Sequence, residues 1–114
     1  MAGTVIVTGG SRGIGRAIAA RLAFSGHNII FTYCNNEKAA RETKQFLTDN
    51  YQISANYVKA DFLSDNKGAA QRCFEMFDNE FPSDSFKGCV HNAGGMLVVA
   101  YWPTPVSGIG IMSN

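Results

Sequence analysis

The segment Thr8-Gly9-Gly10-Ser11-Arg12-Gly13-Ile14-Gly15 lies between a short apolar run and a stretch with helical periodicity. Val5, Ile6 and Val7 predict a buried strand, and Arg16 to Ser25 predict a helix. A strand that feeds a helix through glycines leaves unpaired backbone N–H groups and the positive end of the helix dipole aimed at one spot. An anion such as a pyrophosphate fits there. Glycine clusters alone also mark turns and helix caps; strand, loop and helix in register set this one apart. The spacing from Gly10 to Gly15 is that of an NTP-binding P-loop, but Arg16 and Ala17 follow where that loop needs a lysine and a hydroxyl. Nucleotide hydrolysis is therefore excluded.

The strand–helix alternation repeats along the chain. Thr4 to Thr8 is the first strand, and the helix after it is expected to bury Ile14, Ile18 and Leu22 and to stop at Gly26. Asn28 to Tyr33 reads as the second strand. Asn36 can cap a helix whose inner stripe is Ala39, Ala40, Thr43, Phe46 and Leu47. Ser54 to Lys59 is the third strand. A third helix starts near Ser64 or Asp65 and carries Ala70, Cys73, Phe74, Phe77 and Phe81 on one side. Phe86 to His91 is the fourth strand, ending in Asn92-Ala93-Gly94-Gly95.

This pattern predicts an α/β, Rossmann-type three-layer αβα fold with a parallel sheet ordered 3-2-1-4. The first two helices cover one face and the third covers the other. The ligand crevice then lies outside the carboxyl ends of the first and fourth strands, where both glycine-rich segments fall. Beyond Met96 the periodicity fails. Residues 1–95 read as the N-terminal half of a dinucleotide-binding domain. Residues 96–114 read as an irregular tail with no independent domain, or with a weak extra strand over Met96–Tyr101.

A 114-residue chain supports one domain with a modest core. Its 46% hydrophobic and 17% charged residues are those of an ordinary globular segment, and a net charge of +1 gives no reason to invoke nucleic acid or an anionic membrane. Cys34, Cys73 and Cys89 lack metal-ligand spacing and read as reduced thiols. No metal site is expected. No apolar run could span a bilayer, and the first strand begins too near Met1 for a signal segment, so a cytoplasmic location is expected.

The end of the second strand discriminates between ligands. After Tyr33 come Cys34, Asn35 and Asn36, and the first acid is Glu37, already in helix. A carboxylate there would pair with the ribose 2′-OH of NAD, and a methyl-donor-binding Rossmann domain also wants one. Its absence leaves space for the 2′-phosphate of NADP. Arg12 is the cation for that phosphate, because a guanidinium grips it bidentately. NADP (NADPH) is expected over NAD, with Tyr33 and Asn35 beside it.

These residues resemble the short-chain dehydrogenase/reductase family. Thr8, Gly9, Gly13 and Gly15 meet its T-G-x-x-x-G-x-G motif in full, and Ser11 to Ala19 are similar to the 3-oxoacyl-carrier-protein-reductase branch. The resemblance implies that Gly9, Ser11, Arg12, Gly13 and Ile14 hold the pyrophosphate and 2′-phosphate. It assigns Asp61 and Phe62 to the adenine, and Asn92, Ala93 and Gly94 to the ribose on the nicotinamide side. His91 stands where the family's N-N-A-G motif has its first asparagine.

The implied activity is NADP(H)-dependent hydride transfer on a small carbonyl or secondary alcohol, with a homo-oligomer for the full-length chain. The resemblance covers residues 3 to about 95 and then ends. Tyr33, Tyr51, Tyr57 and Tyr101 each lack a lysine four positions on, so the family's Tyr-x-x-x-Lys is absent and no catalytic residue is assigned. The expectation is a truncated chain carrying the cofactor-binding half, with Cys89 and Val90 on a bare sheet edge. The alternative is a catalytically inactive module that binds a dinucleotide or a partner.

Overall fold

The computed structural model describes residues 3–9, 13–61, 64–81, 85–93, 96–101 and 111–113. In chain order the elements are β1 (Thr4–Thr8), α1 (Gly13–Phe24), β2 (Asn28–Tyr33), α2 (Glu37–Asn50), β3 (Ala55–Lys59), α3 (Asn66–Glu80), β4 (Phe86–Ala93), β5 (Met96–Tyr101) and β6 (Ile111–Ser113). One sheet runs β3-β2-β1-β4-β5-β6. Its first four strands are parallel, in the expected order 3-2-1-4, and β4, β5 and β6 pair antiparallel.

Alternation along the strands sends side chains to two separate cores. Val5, Val7, Ile29, Phe31 and Val90 pack with Ala19 and Ala23 of α1 and with Ala40 and Leu47 of α2. Ile6 and Ile30 point the other way and pack with Cys73, Met76 and Phe77 of α3. A register shift between Thr4 and Val5 pairs Thr4 with Phe86 but Val5 with Gly88. The extra residue lets Phe86 and Cys89, three apart in sequence, both join the α3 side. Phe86 there meets Phe74 and Phe77 edge-on, with ring centroids 5.5 and 5.7 Å away.

Local chemistry sets the helix ends. Asn36 caps α2 by accepting from the Ala39 N–H at 3.0 Å, and Asp65 caps α3 by accepting from the Gly68 N–H at 3.0 Å. α1 ends as predicted at Gly26, whose φ of 93° lets its N–H donate to Ala23 O and the His27 N–H donate to Leu22 O.

Two expectations are corrected and one open choice is decided. Ile14 is 67% exposed, and the innermost α1 residues are Gly15, Ala19 and Ala23, with Ile18 and Leu22 flanking them. Small side chains let the helix backbone approach the sheet closely, so the contact line falls on them rather than on the larger residues one position away. Of the two readings of residues 96–101, the extra strand over Met96–Tyr101 is the one found: its apolar, β-branched sequence finds a partner along β4 from Gly88 to Ala93. For the same reason Cys89 and Val90 do not lie on a bare edge: they pair with Ala100 and Val99.

Phe31 is fully buried between β2 and the α1/α2 layer, whereas Phe24 is 71% exposed. Phe31→Ala should lower the free energy of urea unfolding by about 3–5 kcal/mol. Phe24→Ala should change it by less than about 1 kcal/mol. Equal losses would contradict the placement of this core.

Candidate functional site

The chain switches from one side of β1 to the other between β3 and β4, so the crevice between β1 and β4 opens at their carboxyl ends. Thr8 and His91 are register partners there. The Thr8 hydroxyl, 1% exposed, lies 3.0 Å from His91 Nδ1, and the Asn92 N–H donates to the same oxygen at 2.8 Å. On the other side of β1, the Gly9 N–H donates to the Thr32 hydroxyl at 2.9 Å. Two threonine hydroxyls from neighbouring strands thus fix the first residues of the glycine turn.

Gly9 has φ +69°, and a Cβ built on it would stand 2.6 Å from the Asn92 carbonyl oxygen. Only glycine allows both the left-handed backbone and this approach. Gly13, with φ +63°, opens α1, and among the described residues no atom stands within 4 Å of where a Cβ would point. Gly15, two residues further on, is buried, and Ile14 between them faces outward. The first turn of α1 carries no acidic residue, so its N–H groups and dipole meet no competing carboxylate from that turn.

The far side of the rim is built from the ends of β2 and β3. The Ala60 N–H donates to the Tyr33 carbonyl at 2.9 Å, and the Cys34 thiol donates to the Ala60 carbonyl at 3.5 Å. Tyr33 is half-buried; burial first, then Glu37 and Tyr57, push its phenol pKa up, with Arg41 opposing. Cys34 and Asn35 are exposed, and the Asn36 amide is committed to capping α2. Glu37 turns to Arg41 at 3.7 Å. No carboxylate stands among residues 34–36 at this edge. Asp61 is half-buried, and its carboxylate accepts from the Ser64 N–H at 3.3 Å, holding the turn into α3.

The structure therefore gathers Thr8, Gly9, Gly13, Ile14, Gly15, Tyr33, Asn35, Asp61, Asn92 and Ala93 along one rim. Ser11, Arg12, Phe62 and Gly94 lie outside the described residues. Thr32 and Cys34 were not singled out by sequence. Thr32 looks like any β-branched strand residue, and only its place opposite the glycine turn gives its hydroxyl a task.

Beneath the rim, on the α3 side, Ile6, Ala70, Cys73, Phe74 and Cys89 join Thr8 and His91 around a cavity of about 260 Å³. Burial pushes the Cys73 thiol up to about 12 from 9.0, with Cys89 adding to the rise and Arg72 opposing it. Burial alone pushes Cys89 up to about 11. A larger, polar depression of about 570 Å³, lined by Asn28 and residues 48–54, lies at the opposite, amino rim. It has neither a helix N-terminus nor a glycine turn, so size alone does not make it the site. Among the described residues, no helix is long and apolar enough to cross a membrane.

A parallel sheet ordered 3-2-1-4, covered by helices on both faces and entered through a glycine turn, is a Rossmann-type α/β fold. The sequence matches the short chain dehydrogenase family over residues 3–107, and the chain belongs to that family of oxidoreductases. It is 35% identical over 89 residues to the 3-oxoacyl-[acyl-carrier-protein] reductase of Aquifex aeolicus, covering 78% of this chain and 34% of that one. It is 45% identical over 56 residues to the L-rhamnose 1-dehydrogenase (NADP(+)) of Thermoplasma acidophilum, covering 49% of this chain and 22% of that one. The acetoin dehydrogenase of Salmonella typhimurium superposes with a TM-score of 0.70 at 30% identity, covering 90% of this chain and 41% of that structure. The chain thus spans about a third or less of the length of the curated relatives it matches.

Gly9→Ala combines backbone strain with a clash against Asn92 O, whereas Gly13→Ala adds strain alone. Thermal unfolding should show the Gly9 variant losing about 2–3 kcal/mol and the Gly13 variant about 1 kcal/mol. The reverse order would contradict the close approach of β1 and β4.

Native-state alkylation near pH 8 should modify exposed Cys34 and spare Cys73 and Cys89, whose thiolates are suppressed. Peptide mass spectrometry reads the result. Because both raised thiols hold protons in the folded state that the unfolded chain releases, stability should also fall as pH rises from about 9 through 11–12.

Proposed function

We propose that this chain is the cofactor-binding half of an NADP(H)-dependent short-chain oxidoreductase acting on a small ketone, aldehyde or secondary alcohol. The observation that carries the reading is the meeting of Gly9 with Asn92 at the switch point, beside an acid-free helix N-terminus. The residues present fit the group. Gly13 opens α1 with a left-handed backbone, and the N–H groups of Gly13, Ile14 and Gly15 at that helix start would suit phosphate oxygens.

Ser11 and Arg12 belong to the same loop in sequence, and Arg12 would neutralise the 2′-phosphate. Tyr33 and Asn35 would border that phosphate, with no carboxylate at residues 34–36 to repel it. Asp61 and Phe62 would take the adenine, and Asn92, Ala93 and Gly94 the second ribose. Thr8 and Gly15 would belong to the same cofactor-binding turn, and the Thr8 hydroxyl also accepts from the Asn92 N–H. The bound nicotinamide supplies the hydride that such enzymes exchange with a carbonyl carbon.

The same reading treats residues 1–95 as the cofactor half, places the protein in the cytoplasm and assigns homo-oligomerisation to the full-length form. Its support is the family membership, together with NADP(+) in the name of one relative.

The test is a calorimetric titration of wild type and Arg12→Ala with NADPH and NADH. Loss of a guanidinium–phosphate contact should weaken NADPH about ten- to hundredfold and NADH less than about threefold. Equal weakening of both would remove the 2′-phosphate assignment. No uptake of either by wild type would remove the function itself.

A further inference from the structure

We propose that His91 is a positioning residue for dinucleotide binding, acting through the Thr8 hydroxyl rather than on the ligand; the proposal rests on the cofactor reading above. The Thr8 oxygen accepts from the Asn92 N–H at 2.8 Å and lies 3.0 Å from His91 Nδ1. With one lone pair taken by Asn92, the hydroxyl proton is left to donate to Nδ1 when the ring carries its own proton on Nε2. That second bond selects the Thr8 rotamer whose lone pair faces Asn92. Without it the hydroxyl is free to turn.

The consequence reaches the rim because Asn92 is the residue against which Gly9 packs, at 2.6 Å from the place of a Cβ. A shift in the Asn92 peptide changes the gap between the glycine turn and the end of β4. A dinucleotide spans that gap, so its affinity depends on the gap being set beforehand. The setting favours a strong hydrogen bond. Around Thr8 and His91, β1 contributes Ile6, α3 contributes Ala70, Cys73 and Phe74, and β4 contributes Cys89. Among these described neighbours the two thiols, the titratable groups, are held protonated by burial, and Ile6, Ala70 and Phe74 are apolar.

The chemistry also explains why histidine can stand where the resembling motif has asparagine. In both side chains a polar δ atom sits two bonds beyond Cβ, and that is the atom the Thr8 hydroxyl meets. An asparagine at 91 can replace Nδ1 with its amide oxygen. A leucine fills a similar position and offers nothing.

The experiment compares wild type, His91→Asn and His91→Leu by calorimetry with two ligands, NADPH and adenosine 2′-phosphate, alongside the ligand-free melting temperature. The mononucleotide does not span from the glycine turn to β4, so it reports the adenosine side alone. His91→Leu should bind NADPH about tenfold more weakly and the mononucleotide within about twofold of wild type. His91→Asn should restore NADPH binding to within about twofold.

Thr8→Val removes the bond from its other end, serves if His91→Leu does not fold, and should give the same loss without adding to it in the double variant. Unchanged NADPH binding by His91→Leu would overturn the proposal. So would equal losses for both ligands that follow a falling melting temperature. Failure of wild type to bind NADPH is a separate result that overturns the cofactor reading and the proposal with it.

Discussion

The distance at which the main chain leaving β1 passes the end of β4 governs the carboxyl rim. At Gly9 that passage leaves no room for a side chain, since the Asn92 carbonyl oxygen already occupies the place of a Cβ. Parallel strands must be covered on both faces, so their loops emerge at the ends, and the switch in strand order leaves one gap between those loops. The gap here is bounded by backbone amides, by the N-terminus of α1 and by two buried threonine hydroxyls. Both hydroxyls already hold hydrogen bonds within the protein. They are fixed before a ligand arrives, which is the condition under which hydrogen bonds contribute most to binding.

The four parallel strands were legible because each is a short apolar or β-branched run bounded by glycine or polar residues, and the order 3-2-1-4 follows from crossover handedness alone. Caps were legible where one side chain determines them, as at Asn36 and Asp65. Burial of α1 was not. Spacing by four selects Ile14, Ile18 and Leu22, but the same spacing one residue later selects Gly15, Ala19 and Ala23, and periodicity alone cannot tell which stripe meets the sheet. Close helix–sheet packing decides in favour of the small residues. β5 was legible only as one of two readings, because a continuous apolar run carries no alternation when its pairing partner is unknown.

In the candidate site, the glycines and Asn92 could be found from spacing, since they act through backbone geometry that only certain residues permit. Thr32 could not, because its contribution is a hydroxyl aimed at an amide 23 positions earlier. His91 falls between these cases. Its departure from the family's asparagine is visible in sequence, while its bond to Thr8 is visible only once β1 and β4 lie side by side.

The most direct test of the account is to follow backbone amide chemical shifts while NADP is added to the isotopically labelled chain. The amides of Gly9, Gly13, Ile14, Gly15 and Asn92 should move together and saturate at one ligand concentration, while those of Tyr51, Gln52, Ile53 and Ser54 at the amino rim stay in place. Shifts confined to the amino rim, or none at either rim, would contradict it.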